Sequence, residues 1–118
     1  MISITGVPLN IAGAASAAGY IITADAILTE SGTTRTLSSV DNGKIIYCTS
    51  ASAVTITCAA GLGAGFSCTI IQAGAGKVTV AAGGQTLVSY SSLFSTMGQY
   101  AVISLLCPVA NTFVAAGN

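Results

Sequence analysis

The chain has no histidine and no tryptophan, and only six of its 118 side chains are ionised at neutral pH: Asp25, Glu30, Arg35, Asp41, Lys44 and Lys77. Without histidine there is no Ser-His-Asp or Cys-His arrangement, and the commonest general base and metal ligand are both missing. A glycoside hydrolase needs two carboxylates, and three are present. Asp25 and Glu30, however, fall in an N-terminal arm or its linker, and Asp41 reads as a turn residue before Asn42-Gly43. No catalytic, cofactor-binding or metal-binding residue is therefore expected, and the chain is not expected to be an enzyme. The lack of clustered lysine or arginine argues against nucleic acid, because phosphate neutralisation needs such clusters. Residues 1–24 carry no charged side chain, but Gly6, Pro8, Asn10, Gly13 and Gly19 interrupt them. No apolar run reaches the length of about 18 that a membrane span needs. There is no basic segment to open a signal peptide, although "ASA" at 15–17 resembles a cleavage site.

What the chain has is apolar content, at 53% against 5% charged residues, with a formal net charge of zero. An ordinary domain carries roughly 25% charged residues. Like-charge repulsion keeps small proteins apart in solution, so a particle with so little of it is expected to be covered by copies of itself or by a larger assembly. The alternative is a monomer whose surface is Ser, Thr, Asn and Gln. The length suits one domain with an arm and is sufficient for a core without disulfides or metal.

From residue 34 the pattern is β. Short runs rich in Thr, Val, Ile and Tyr are separated by Gly, Asn and Ser. Strands are expected at 34–38, 44–49, 53–58, 66–72, 77–81, 85–90, 99–107 and 112–116. In 53–58, Val54, Ile56 and Cys58 share one face and Thr55 and Thr57 the other; Phe66, Cys68 and Ile70 repeat the phase, then Val78 and Val80. Asn42-Gly43 predicts a hairpin between the first two runs, since both residues tolerate positive φ. Arg35 and Lys44 would then pair across it with Asp41 or Glu30, a surface interaction of at most about 1 kcal/mol. The stretch "IIQAGAGKVTV" (70–80) places glycines before a lysine, as in a phosphate cradle. Val78 stands where that motif requires Ser or Thr, and the chain continues as a strand, so Ala73 to Gly76 is read as a turn. The expected fold is all-β: an antiparallel β-sandwich, jelly-roll-like, of about eight strands spanning 29–118, preceded by an extended arm over 1–28.

None of Cys48, Cys58, Cys68 and Cys107 sits in a C-x-x-C pair, so zinc is not expected. In "VTITC" and "FSCTI" cysteine takes the core phase of the alternation, which reads as a buried thiol acting as a small apolar filler. A disulfide remains the alternative. The uncharged arm is sticky enough to lie against a partner, either a neighbouring copy or another protein. Alternatively it folds back as an additional strand through "GYIIT" (19–23). Tyr90 and Phe94, in "SYSSLFSTMGQ", are read as core residues, with a receptor-facing surface as the second reading.

Four stretches carry a family likeness: "VDNGKIIYCTSASAVTIT" (40–57), "TIIQAGAGKVTVAAGG" (69–84), "GQYAVISLL" (98–106) and "NTFVAAGN" (111–118). The chain resembles a β-sandwich module of tailed-bacteriophage virion proteins, found as capsid decoration or cement proteins, head fibres and tail-fibre termini. The likeness covers residues 33–118 and leaves the arm uncovered. Phe113 stands where that pattern often has tryptophan. The resemblance implies a structural virion protein, a homotrimer binding the major capsid protein on the outer surface of the head, assembled in the host cytoplasm with reduced thiols. A tail or fibre component for host attachment is the alternative.

Overall fold

The computed structural model describes residues 26–117. These are all-β, with nine strands, two single-turn 3-10 helices (Ser39–Asp41 and Tyr90–Ser92) and no α-helix among the described residues. The strands are β1 (Ile27–Glu30), β2 (Thr34–Thr36), β3 (Lys44–Cys48), β4 (Val54–Thr57), β5 (Ser67–Gln72), β6 (Val78–Ala81), β7 (Thr86–Ser89), β8 (Val102–Val109) and β9 (Thr112–Gly117). Each strand expected from residue 34 onward is present. β1 was not anticipated; it starts inside the stretch assigned to the arm and runs into the stretch assigned to a linker. The rest of the arm, residues 1–25, lies outside the described residues.

The pairing differs from the expected antiparallel jelly roll. The first six strands alternate between two sheets, and from β3 onward each pairs in parallel with the strand two places earlier. β1, β3 and β5 run side by side in one sheet, and β2, β4 and β6 in the other. The chain thus coils through three rungs, in a solenoid-like arrangement. The coil then closes. β8 pairs antiparallel to β5, β9 forms a hairpin with β8, and β7 lies parallel to β9, giving a six-stranded sheet in the order β1-β3-β5-β8-β9-β7. On the other sheet, Phe94 and Thr96 bond to the free edge of β6, Val80 donating to Phe94 O and Thr96 to Val78 O.

One core fills the space between the sheets. Ile46, Ile70 and Ile103 stand in register from one side, and Val54 with Val78 and Ile56 with Val80 from the other. Cys48, Cys58, Cys68 and Cys107 occupy the same interior. Phe66 and Phe113 meet edge to face, with centroids 6.3 Å apart. The in-out phase read from the sequence is the observed one at Val54, Ile56, Cys58, Phe66, Cys68, Ile70, Val78 and Val80.

The corners explain why the coil is parallel. Asn42 has φ −62° and ψ 128°, and Gly43 has φ 73°. A type I′ hairpin needs positive φ at both residues. The observed pair has the φ values of a type II turn, and it carries the chain out of one sheet and into the other. Ser67, one rung on, seals this corner: Gly43 N donates to Ser67 O, and Ser67 N donates to Asn42 Oδ1. The segment 73–77 is likewise a corner and no hairpin. It stacks directly on the preceding corner, with Ala73 N and Gly74 N donating to Cys48 O, Gly76 N to Ser50 O, and Val54 N to Lys77 O. The glycines are there for close approach. A Cβ on Gly74 would lie 2.3 Å from Ser50 O, and one on Gly76 would lie 1.8 Å from Ser52 O.

Gly76→Ala is expected to destabilise the fold by about 1–3 kcal/mol or more through overpacking, because the obstacle is backbone. Gly98→Ala, which meets nothing within 4 Å, should stay within about 0.5 kcal/mol of the parent. Urea unfolding of the two variants checks this.

Candidate functional site

The parallel register lines up the outward side chains and gives the two sheets opposite characters. On the three-stranded sheet, Thr34, Thr55 and Thr79 form one outward row, and Thr36 and Thr57 form a second that ends at Ala81. The Ser95 hydroxyl extends the first row, 3.0 Å from Thr79 Oγ1. This face is a hydroxyl array. On the six-stranded sheet the outward rows mix large apolar with small polar side chains: Thr29, Tyr47, Ile71 and Val102 in one, Ile27, Ile45, Thr69 and Ser104 in another, and Ser67, Leu106, Val114 and Val88 in a third. Leu106 is 47% exposed, Ile27 46% and Val88 45%. Lys44 lies at the margin of this face. It lines a shallow pocket of about 110 Å3 with Gly43, Ile45, Ser67, Cys68, Thr69, Ser104 and Leu106. Tyr47 and Val102 are exposed on the same face, so it carries more large apolar side chains than the threonine-lined sheet opposite.

The charged residues are spent elsewhere. Glu30 on β1 and Arg35 on β2 both point inward, and Arg35 bridges two carboxylates. Its Nη1 donates to Glu30 Oε1 at 2.9 Å and its Nη2 to Asp41 Oδ1 at 2.5 Å. Gly32 N donates to the other Glu30 oxygen and Ser38 N to the other Asp41 oxygen. Asp41 does lie in a turn, as read from the sequence, but it is fully buried, so its pair with Arg35 is not the surface interaction expected. It closes the 3-10 turn Ser39–Asp41 with a capping box on Ser38. The hydrogen bond from Arg35, with help from Gly32 N–H and the guanidinium charge, holds the Glu30 carboxyl below its ordinary range against an opposing effect of burial. The Arg35 guanidinium is pushed up, chiefly by its bond to Asp41. Each of these four carboxylate oxygens therefore accepts a hydrogen bond, and the cluster locks the first rung: strand β1, its corner, β2 and the turn after it. Asp25, the remaining carboxylate, lies outside the described residues.

The thiols are equally committed to structure. All four are free and buried. Burial pushes Cys48 and Cys58 up to about 11 and Cys68 up to about 12. A thiol that high stays protonated at neutral pH and is a poor nucleophile. Among the described residues no group of three or more His, Cys, Asp or Glu could hold a metal ion.

The loop between β7 and β8 divides the two residues that the sequence grouped. Phe94 packs against the core, whereas Tyr90 is 91% exposed, so the core reading holds for Phe94 alone. Met97 and Tyr100 are also exposed. Tyr100 sits at φ 68°, an uncommon conformation for a bulky residue. Its amide donates to Gln72 O at 2.5 Å. Beneath the loop, buried Thr96 donates to Gln72 Oε1 and accepts from Val78 N. Phe113, where the family likeness has tryptophan, is fully buried and plays a core role.

No family model, curated protein or solved structure matches the chain.

Asp41→Ala leaves the partly buried Arg35 guanidinium half-paired and removes a fully buried carboxylate that holds Ser38 N, and should cost about 2 kcal/mol, whereas Glu30→Ala should cost about 1 kcal/mol; chemical denaturation separates them. The Glu30 carboxyl is lowered by folding, so its contribution is complete above the unfolded value of 4.5 and is lost as pH falls through the lower folded value. Melting temperature should fall with pH in that window, less steeply in Glu30→Gln. Titration with a thiol reagent should find no rapid reaction at pH 7 in the native protein and four thiols after unfolding without reductant.

Proposed function

We propose that the chain is a structural virion protein of a tailed bacteriophage, a capsid decoration or cement protein that binds the outer surface of the head and stabilises it. The observation that carries this reading is the two-faced slab. The apolar face of the six-stranded sheet fits against a protein shell, and the threonine face turns outward and keeps the particle wetted without net charge. The family likeness in the sequence points the same way, and buried reduced thiols suit assembly in the host cytoplasm.

The energetics fit a multivalent part. Six strands at about 4.8 Å spacing make a face roughly 29 Å wide. Burying about 400 Å2 of apolar surface there is worth about 10 kcal/mol at roughly 25 cal/mol per Å2. Association costs of about 4–15 kcal/mol consume most of that. One copy would hold weakly, and a homotrimer would bind through avidity. The major capsid protein is the partner, and the chain acts by covering and bracing it.

A second reading rests on Tyr90, Met97 and Tyr100. Exposed aromatic rings on one loop suit a tail or fibre component that stacks on host-surface sugars.

Cosedimentation with undecorated heads of the phage that encodes the chain tests the first reading. Binding is expected at saturable occupancy, with Leu106→Asp and Tyr47→Asp lowering affinity at least about tenfold, or 1.4 kcal/mol, and Thr55→Ser leaving it unchanged. Absence of head binding together with Tyr90-dependent binding to host cells would replace it with the second.

A further inference from the structure

The three-stranded sheet ends at β6 differently from the way its earlier strands meet. β4 passes its backbone bonds to a parallel strand of the next rung: Val54 N donates to Lys77 O and Cys58 N to Ala81 O. On the far side of β6, a short piece of the loop between β7 and β8 runs the other way, with Thr79 and Ser95 facing each other as an antiparallel bridge. Val80 N donates to Phe94 O, and Thr96 N donates to Val78 O. Val78 N is met by a side chain, donating to Thr96 Oγ1 at 2.9 Å. That hydroxyl stands where a further parallel rung would bring a backbone carbonyl, as Lys77 O does for Val54. It donates in turn to Gln72 Oε1 on β5, so Thr96 ties the end of one sheet to the other.

This strap is lightly held. Thr96 is buried and Phe94 and Ser95 are half-buried, whereas Leu93, Met97, Gly98, Gln99 and Tyr100 are exposed. Few buried contacts and an exposed backbone belong to the low-stability end of a structure. Ser92 at φ 55° and Tyr100 at φ 68° bracket the strap. Residues with a Cβ are strained in the left-handed region, and lifting the strap relaxes both ends.

The strand beneath needs cover. β6 reads VTVA, with no charge and no proline to guard its edge. The chain has a formal net charge of zero, so there is little long-range repulsion to keep two such edges apart. In a strand, successive residues send their backbone groups to alternate sides. Val78 and Val80 therefore turn theirs toward the strap, and the same two residues of another molecule would offer the matching pattern.

We propose that the strap Leu93–Tyr100 is a detachable edge guard. Seated, it ends the coil at β6. Lifted, it leaves β6 free to pair antiparallel with β6 of a second copy, the same patch on both molecules as an isologous contact requires. The inference stands apart from the virion reading, because its test involves no capsid.

Thr96→Pro tests it, since proline takes away both the hydroxyl and the N–H that hold Val78. In dilute Thr96→Pro the amides of Val78 and Val80 are expected to exchange at least about 100-fold faster than in the parent. The amides of Val54 and Cys58, which bond to Lys77 O and Ala81 O, should stay protected and show that β6 is still in place. At about a hundredfold higher concentration, sedimentation should reveal a species twice the size of the parent's own, with protection of Val78 and Val80 restored. Thr96→Ser, which keeps the hydroxyl, should match the parent throughout. Parent-like protection of Val78 and Val80 in dilute Thr96→Pro overturns the proposal, as does loss of protection at Val54 and Cys58, which would make the strap part of the folding unit. Failure to associate with Val78 and Val80 bared also overturns it, and so does association that leaves them unprotected, because the contact would then lie elsewhere.

Discussion

The structure depends on backbone stacking on backbone at the corners. The segment 73–77 rests on 49–53 so closely that neither Gly74 nor Gly76 has room for a Cβ. That contact fixes how far apart consecutive rungs lie, and hence which residues of β3 meet β5 and which of β4 meet β6. A corner that held its neighbour a few ångströms further off would break the parallel ladders on both sheets. The offset of 24 residues is the same on both sides of the corner, from Ile45 to Thr69 and from Val54 to Val78.

Parallel registry has a consequence for the surface. It places like residue over like residue, so the side chains of each strand become rows across the sheet. Thr55 of one rung lies beside Thr79 of the next, and Ile46 beside Ile70. A hydroxyl face, an apolar face and a single core then follow from one short pattern used twice. A surface sorted in this way gives a protein with six ionised side chains one hydroxyl-lined side and one side richer in apolar groups. Three of those six are withdrawn into the Glu30–Arg35–Asp41 clasp. The clasp stands where the first rung would otherwise carry aliphatic side chains. Ion pairs in such positions add little net stability over apolar packing, but they are intolerant of misplacement and fix the geometry of the rung that holds them.

Much of the fold was legible. The alternation of apolar and polar residues located eight strands and gave the correct phase for the core. A further signal was present: "KIIYCTSASAVTIT" and "CTIIQAGAGKVTVA" are the same unit at a spacing of 24, the kind of internal repeat that marks a coiled arrangement of rungs. β1 escaped notice because Glu30 and the following Ser-Gly resemble a linker. The faces were not legible, since a row exists only after strands are paired. Asp41 looked like a turn residue because its neighbours Asn42 and Gly43 are turn residues; its pairing with Arg35 was legible, but as a surface contact, and its complete burial was not.

The sequence alone determined where strands form and which side of each is apolar, because alternation is a property of a single extended chain. It also determined that catalysis through histidine is excluded and that the glycines before Lys77 serve the backbone. Only the tertiary structure decided that the first six strands pair in parallel and that the cysteines share one interior. It also decided that Tyr90 faces outward while Phe94 faces inward. The reason is geometric: pairing is set by the direction in which each corner releases the chain. At Asn42-Gly43 that direction rests on the sign of one φ angle, which the same two residues can satisfy either way.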